Sequence, residues 1–171
     1  DEYRRRIHPD LASYASVDSA LEEPMAIIAV GDEWKYWKGT QPPAAEPMAW
    51  IQKDFDDSAW GTGKSGFGYG DGDDSTILDD MQNNYTSVYV RRLFDMPKLN
   101  DNQNYRLVVY VDDGFVAYLN GHEIGRSRAW PPGTKLTYES VADSTVGNSE
   151  TIILSVDPSL FQEGKNVLAI Q

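Results

Sequence analysis

The sequence predicts an all-β protein, an antiparallel β-sandwich of jelly-roll type. Three observations predict it. Short runs rich in β-branched and aromatic residues recur along the chain, Gly- and Pro-rich loops separate them, and no stretch of ten or more residues carries a helical period.

The elements follow in order. Residues 1–24, DEYRRRIHPDLASYASVDSALEEP, read differently from the rest. RRRI is basic, and Pro9 and Pro24 punctuate the segment. It is expected to be a linker or the tail of a preceding domain, with a helical turn over residues 19–23 capped by Asp18. The sandwich is expected over residues 25–171. MAIIAV (25–30) and WKYW (34–37) read as strands, and QPPAAEP (41–47) as a loop. SVYVRRLF (87–94) and YRLVVYV (105–111) are strong strands. In the second, Leu107, Val109 and Val111 share one face, while Val108 and Tyr110 share the other, so both faces are expected to be at least partly covered. FVAYLNGHEIGR (115–126) reads as a hairpin turning at Asn120-Gly121. TIILSV (151–156) and NVLAIQ (166–171) close the series. Between them a helical turn is expected, with Asp157 as N-cap, Pro158 at the first helical position and Gly164 as the stop. NVLAIQ reads as strand up to Gln171, so the sandwich is expected to lack its last strand. There is no internal repeat.

A chain of 171 residues fits one domain plus an extra segment and can bury a substantial core. It begins with Asp1 rather than Met and is expected to be excised from a longer polypeptide. There are 27 acidic against 15 basic side chains, a net charge of -12. Nucleic acid and anionic membrane surfaces would repel such a chain, whereas neutral ligands or cations suit it. No Cys is present, which excludes disulfides, thiolate metal sites and a Cys nucleophile. Export is still compatible with that, because calcium can staple a secreted domain. The sequence carries neither a recognisable signal peptide nor an apolar run of membrane-spanning length.

Catalytic motifs are weak. GTGKS (61–65) resembles the end of a phosphate-binding loop, but position 58 is Ser where the pattern needs Gly, and GFGYGDGDD cannot be the helix that must follow. Nucleotide binding is rejected, and a Gly-rich turn is the expectation. Serine-hydrolase chemistry needs a His, and the only two are His8, in the expected linker, and His122, after a hairpin turn. No GxSxG elbow is present. Two carboxylates would suffice for a glycosidase, but with 27 acids that test selects nothing. The chain is expected not to be an enzyme.

GYGDGDDSTILDD (68–80) holds five carboxylates and no Lys or Arg. Uncompensated, they repel one another. The EF-hand pattern fails, because its sixth position falls on Thr76 rather than Gly and its twelfth on Gln82 rather than Glu. Calcium sites need only six to eight oxygens on a flexible loop, and Asp71, Asp73, Asp74 and Asp79 are the expected ligands. The plain alternative is a solvated acidic loop.

Aromatic residues offer the other resource, because sugars stack on Trp or Tyr. Trp34, Tyr36 and Trp37 lie on a strand, and Trp50 and Trp60, which flank FDDS, are expected in the core. Trp130 differs. It sits in RSRAWPPG, followed by two prolines and flanked by Arg126 and Arg128. A loop Trp so held makes a platform, against the plain reading that it covers the edge of the core. The expected sugar contacts are Trp130, Arg126 and Arg128, with Tyr69 joining them.

Three stretches then carry a resemblance. FDDSAW (55–60), YVRRLF (89–94) and VDDGFVAYLNGHEIGR (111–126) resemble the galactose-binding-domain-like β-sandwiches. Their order is also similar to the sugar-binding domain of family 2 glycoside hydrolases. A nearer likeness is to accessory domains of large secreted bacterial proteins, in which stretches like GFGYGDGDD, DDGFVAYLNG and VDPSLFQEGKNVLAIQ recur together. The resemblance spans residues 25–171. It implies a non-catalytic carbohydrate-binding module of a secreted or cell-surface multidomain protein, stabilised by calcium. Its partners would be a polysaccharide or glycan and a neighbouring domain of the same polypeptide, with no nucleic acid and no membrane insertion. The alternative it leaves is a structural module that packs against a catalytic neighbour without binding sugar. Within it, Asp56 and Asp57 stabilise the turn before Trp60, and Asn120 and Gly121 make the hairpin. Asp112 and Asp113 look like the acid pair of protective-antigen-type domains, which binds calcium beside a sugar. A strand-end turn is the preferred reading of that pair, and either it or the acidic loop would hold the metal.

Overall fold

Among the described residues, twelve strands form two sheets. The computed structural model describes residues 6–15, 25–70, 72, 74–96, 98–99, 103–145, 147 and 149–171; of residues 6–15 it gives the backbone and the Leu11 side chain. The strands are β1 (Arg6–Ala15), β2 (Met25–Ile28), β3 (Glu33–Lys38), β4 (Gly61–Lys64), β5 (Phe67–Gly68), β6 (Thr76–Ile77), β7 (Val88–Met96), β8 (Gln103–Asp112), β9 (Phe115–Leu119), β10 (His122–Ser127), β11 (Glu150–Val156) and β12 (Gly164–Ile170). Sheet I runs β11-β8-β1-β5-β6, with β2 also paired to β1; sheet II runs β10-β9-β12-β7-β3-β4. Every pairing is antiparallel except the two-residue β5–β6 pair. The protein is all-β. Among the described residues the only helical pieces are single 3-10 turns at Ala49–Ile51 and Pro158–Leu160.

The core lies between the sheets and follows from period-two patterning. Sheet I contributes Leu11, Leu107, Val109 and Val111; sheet II contributes Trp34, Val90, Phe94, Phe115, Ala117, Leu119, Leu168 and Ile170. Alternate residues of sheet II point the other way. Tyr89, Val116, Tyr118 and Ala169 form a second buried cluster with Trp50, Ile51 and Trp60. These last three come from the connection between β3 and β4, residues 39–60, which covers the outer face of sheet II as a flap. FVAYL is buried at every position because both of its faces are covered. Trp50 meets Tyr89 and Tyr118 edge-on at centroid distances of 4.9 and 5.7 Å. Each such pair adds about 0.5–1.5 kcal/mol beyond area burial.

Arg91 fastens the flap. Its side chain is fully buried. Nε donates to the Trp50 carbonyl at 3.0 Å, one terminal nitrogen donates to the Gln52 carbonyl at 2.8 Å, and the other pairs with the Asp57 carboxylate. The guanidinium also lies 5.3 Å from the Phe55 ring centroid. Burial pulls the Arg91 pKa down from its ordinary value, while the Asp57 charge opposes that. FDDSAW and YVRRLF are thus two halves of one structural lock. Asp56 and Asp57 hold the turn before Trp60: Asp56 accepts from the Ser58 amide at 3.0 Å, and the Asp57 carbonyl accepts from the Trp60 amide.

The hairpin turns at Asn120-Gly121, with φ of 50° and 86°, the doubly left-handed geometry that favours Asn-Gly. Asn120 also ties the hairpin inward, donating to the Leu160 carbonyl and the Asn166 side chain and accepting from the Val167 amide. Asp157 caps its 3-10 turn through the Ser159 amide, but the turn ends at Phe161, and Gly164 (φ 78°) begins β12 instead.

Two expectations are corrected. Residues 6–15 are not linker: they form β1, which lies inside sheet I and pairs with β8 along its whole length. The sandwich therefore begins before residue 25. Pro9 is tolerated because β1 pairs on its other side with β5 at residues 6–7 and with β2 at residues 11–13, and Pro9 falls between them. The turn expected at residues 19–23 lies outside the described residues. GTGK is not a turn but β4. Its glycines let the strand lie against neighbours: a Cβ at Gly61 would come within 2.6 Å of the Tyr36 ring, and one at Gly63 within 2.5 Å of the Thr76 hydroxyl.

Candidate functional site

One end of the sandwich is concave. It is built by the β8–β9 turn, the residues that open β7, the residue that follows β12, and the long connection after β10. A cavity of about 70 Å³ lies there, room for about two waters. Phe67, Met81, Val88, Phe115, Leu136 and Val141 give it apolar walls, and Ser87, Asp112, Asp113, Arg128 and Gln171 give it polar ones. Asp112 and Asp113 are both buried, at 6% and 5% exposure.

Local sequence explains the shape. Asp112 ends β8, and Asp113-Gly114 turns into β9, the strand-end turn that the sequence favoured. The turn passes so close to the next hairpin that a Cβ on Gly114 would meet the Ser127 and Arg128 carbonyls at 2.8 and 2.7 Å. The connection after β10 is then pinned across the cavity. Ser87 donates to the Tyr138 carbonyl at 2.7 Å, and Gln171 Nε2 donates to the Thr137 carbonyl at 2.8 Å. Thr86 donates to the carbonyls of Tyr138 and Ser140.

Trp130 stands on this pinned connection, 48% exposed. Its backbone amide donates to Asp143 at 3.1 Å, and its indole N–H donates to the Val141 carbonyl at 3.3 Å. Val141 and Ala129 are cavity walls, so the indole is bonded to the wall although Trp130 does not itself line the cavity. Trp130 and Arg128 both hold left-handed backbone, with φ of 61° and 46°. Bulky residues adopt it at a cost of order 1–3 kcal/mol, and such residues concentrate at binding sites.

The other expected sugar contacts behave differently. Arg126 is committed: both Glu123 oxygens accept from it at 2.7 Å, and it donates to the Ala129 carbonyl at 2.7 Å and to the Thr134 carbonyl at 3.3 Å. The Glu123 hydrogen bonds raise its pKa above the ordinary value. It shapes the loop that carries Trp130. Arg128 pairs with Glu150 and reaches the Asp113 carbonyl at 3.4 Å, and it lines the cavity. Tyr69 packs against the core between the sheets and is not part of the cavity wall.

The expected calcium ligands are placed only in part. Asp71 and Asp73 lie outside the described residues; Asp74 is half-buried and Asp79 exposed. Among the described residues, no group of three or more His, Asp or Glu is placed to hold a metal ion. The stretch is less uncompensated than it reads. Lys38 donates to both Asp80 oxygens at 2.9 and 2.7 Å and Tyr85 donates at 3.0 Å. The Lys38 hydrogen bond, first among the causes, holds the Asp80 carboxyl below its ordinary value, and burial pushes the Tyr85 hydroxyl well up.

Sequence reasoning singled out Trp130, Arg128 and the Asp112-Asp113 pair but missed Ser87 and Gln171, which are far apart in the chain. No periodicity joins them; only the antiparallel pairing of β12 with β7 brings their strands together. No helix among the described residues is long and apolar enough to cross a membrane. No protein-family model matches the chain, nor does any curated protein or solved structure.

Proposed function

We propose that this chain is a non-catalytic sandwich of jelly-roll, galactose-binding-like type that binds carbohydrate at the end bearing Trp130. The single observation that carries the reading is Trp130 itself: a half-exposed Trp whose backbone amide and indole each donate one hydrogen bond, the second to a wall residue of a cavity with mixed lining. A sugar presents one apolar face and a rim of hydroxyls, which suits an aromatic platform next to buried carboxylates and amides. The charge of -12 and the two cavity aspartates favour a neutral glycan over an anionic one. In this reading the protein is a secreted or cell-surface accessory module beside another domain of the same polypeptide. Calcium at the acidic 71–79 segment is its staple, a part of the reading that rests on sequence.

The test is retention on a panel of neutral and anionic polysaccharides. Wild-type protein is expected to be retained on a neutral one, and Trp130→Ala is expected to lose about 2–10-fold in affinity, the worth of one stacking contact, with an unchanged melt. No retention on any glycan would overturn the binding reading in favour of a structural module. Glycan hydrolysis by the isolated chain would overturn the non-catalytic part. For the staple, calcium added after EDTA is expected to raise the melting temperature, and Asp71→Ala/Asp73→Ala is expected to abolish the rise.

A further inference from the structure

β11 is an open edge. Among the described residues it lies at the end of sheet I and pairs only with β8. Edge strands present unpaired backbone groups to any second strand, and proteins blunt them with charge, bulges or brevity. The other described edges carry such devices. β10 bears Glu123, Arg126 and a register shift between Glu123 and Gly125; β2 and β4 have four residues each and β6 two. β11 has seven residues, an unshifted register and no Pro, and its one charge, Glu150, sits at its first position, tied to Arg128. At its middle, Ile153 is 58% exposed.

We infer that β11 is the docking edge for β11 of a second copy of this chain, paired antiparallel about a two-fold axis at Ile153. The strand is self-complementary about that residue. Thr151 would face Ser155 of the second copy, a favourable hydroxyl pair, and Ile152 would face Leu154. Ile153 would meet itself, while the two Glu150 carboxylates would sit at opposite ends. Ile152 and Leu154 already point inward against the core; pairing would cover their open flank and join the two cores edge to edge. Outside, Tyr110 of β8, 43% exposed and opposite Thr151, would extend the Ile153 pair into one apolar strip across the axis. Such a closed two-fold contact uses one patch on both copies. A seven-residue edge is small, so dimerisation depends on concentration.

Sedimentation equilibrium over a concentration series tests this, with single-cysteine variants as reporters, since the chain has no Cys of its own. The apparent mass is expected to rise from 19.2 kDa toward twice that value. Ile153→Lys, which sets two ammonium groups side by side on the axis, is expected to stay at 19.2 kDa with an unchanged melt. Under mild oxidation Ile153→Cys is expected to give a covalent dimer, whereas Ile77→Cys, equally exposed at 58% on β6, is not. A wild-type mass fixed at 19.2 kDa across the series would overturn the inference, as would an Ile153→Lys variant that still dimerises or equal cross-linking at both positions.

Discussion

The two sheets treat their outer faces in opposite ways. On sheet II the flap of residues 39–60 buries Tyr89, Val116 and Tyr118, and a fully buried Arg91 fastens it. On sheet I, Val108 is buried but Tyr110 and Ile153 on the same face stay exposed. The sequences of the strands record this difference. β9 is apolar throughout, whereas β11 alternates Thr151, Ile152, Ile153, Leu154, Ser155 with only the even positions turned inward. A face covered by its own chain is spent on stability. A face left open is available for contact with something else.

The comparison breaks most sharply at Arg91. Arg91→Ala leaves Asp57 without its partner and removes donors from the Trp50 and Gln52 carbonyls, so urea denaturation should show a loss of about 3–5 kcal/mol. Asp57→Asn keeps a hydrogen-bonding partner but deletes its charge. It should cost about 1–3 kcal/mol in the same assay. On sheet I, Ile153→Thr and Ser155→Thr, measured at protein concentrations too low for association, should each stay within about 0.5 kcal/mol of wild type. If they matched Arg91→Ala instead, the contrast between the two faces would be wrong.

Another small effect belongs to Lys38–Asp80, half-exposed at the edge of the acidic stretch. The folded protein holds the Asp80 carboxyl below its ordinary value. Its contribution is therefore complete above the unfolded value of about 4 and fades as pH falls through the lower folded one. Asp80→Asn should cost at most about 1 kcal/mol at neutral pH, and wild type and variant should converge on acidification.

Much of this was legible in the sequence. β7, β8, the Asn120-Gly121 hairpin, β11 and β12 declare themselves by β-branched runs and turn chemistry, which are local signals. Trp130 is conspicuous because Pro131 and Pro132 follow it. What the sequence concealed depends on distant partners. RIHPDLASYA looks like a linker because of its Arg and Pro, and becomes a strand only when β8 lies beside it. GTGK looks like a turn until Tyr36 and Thr76 are seen against its glycines. The commitment of Arg126 was invisible for a similar reason, since four of its acceptors are carbonyls of residues 129–134, which a residue-type pattern does not register.

The chain order of the strands has a further consequence, for synthesis. β1 waits for β8, almost a hundred residues later, and β9 and β7 are separated in their sheet by β12, which follows both in sequence. Neither sheet can zip up from one end as it leaves the ribosome. The apolar runs of β7, β8 and β9 emerge while their central partners are held apart or still unmade. Such non-local topologies fold slowly and expose sticky intermediates. Until β12 is made and enters between them, β7 and β9 lack their central partner.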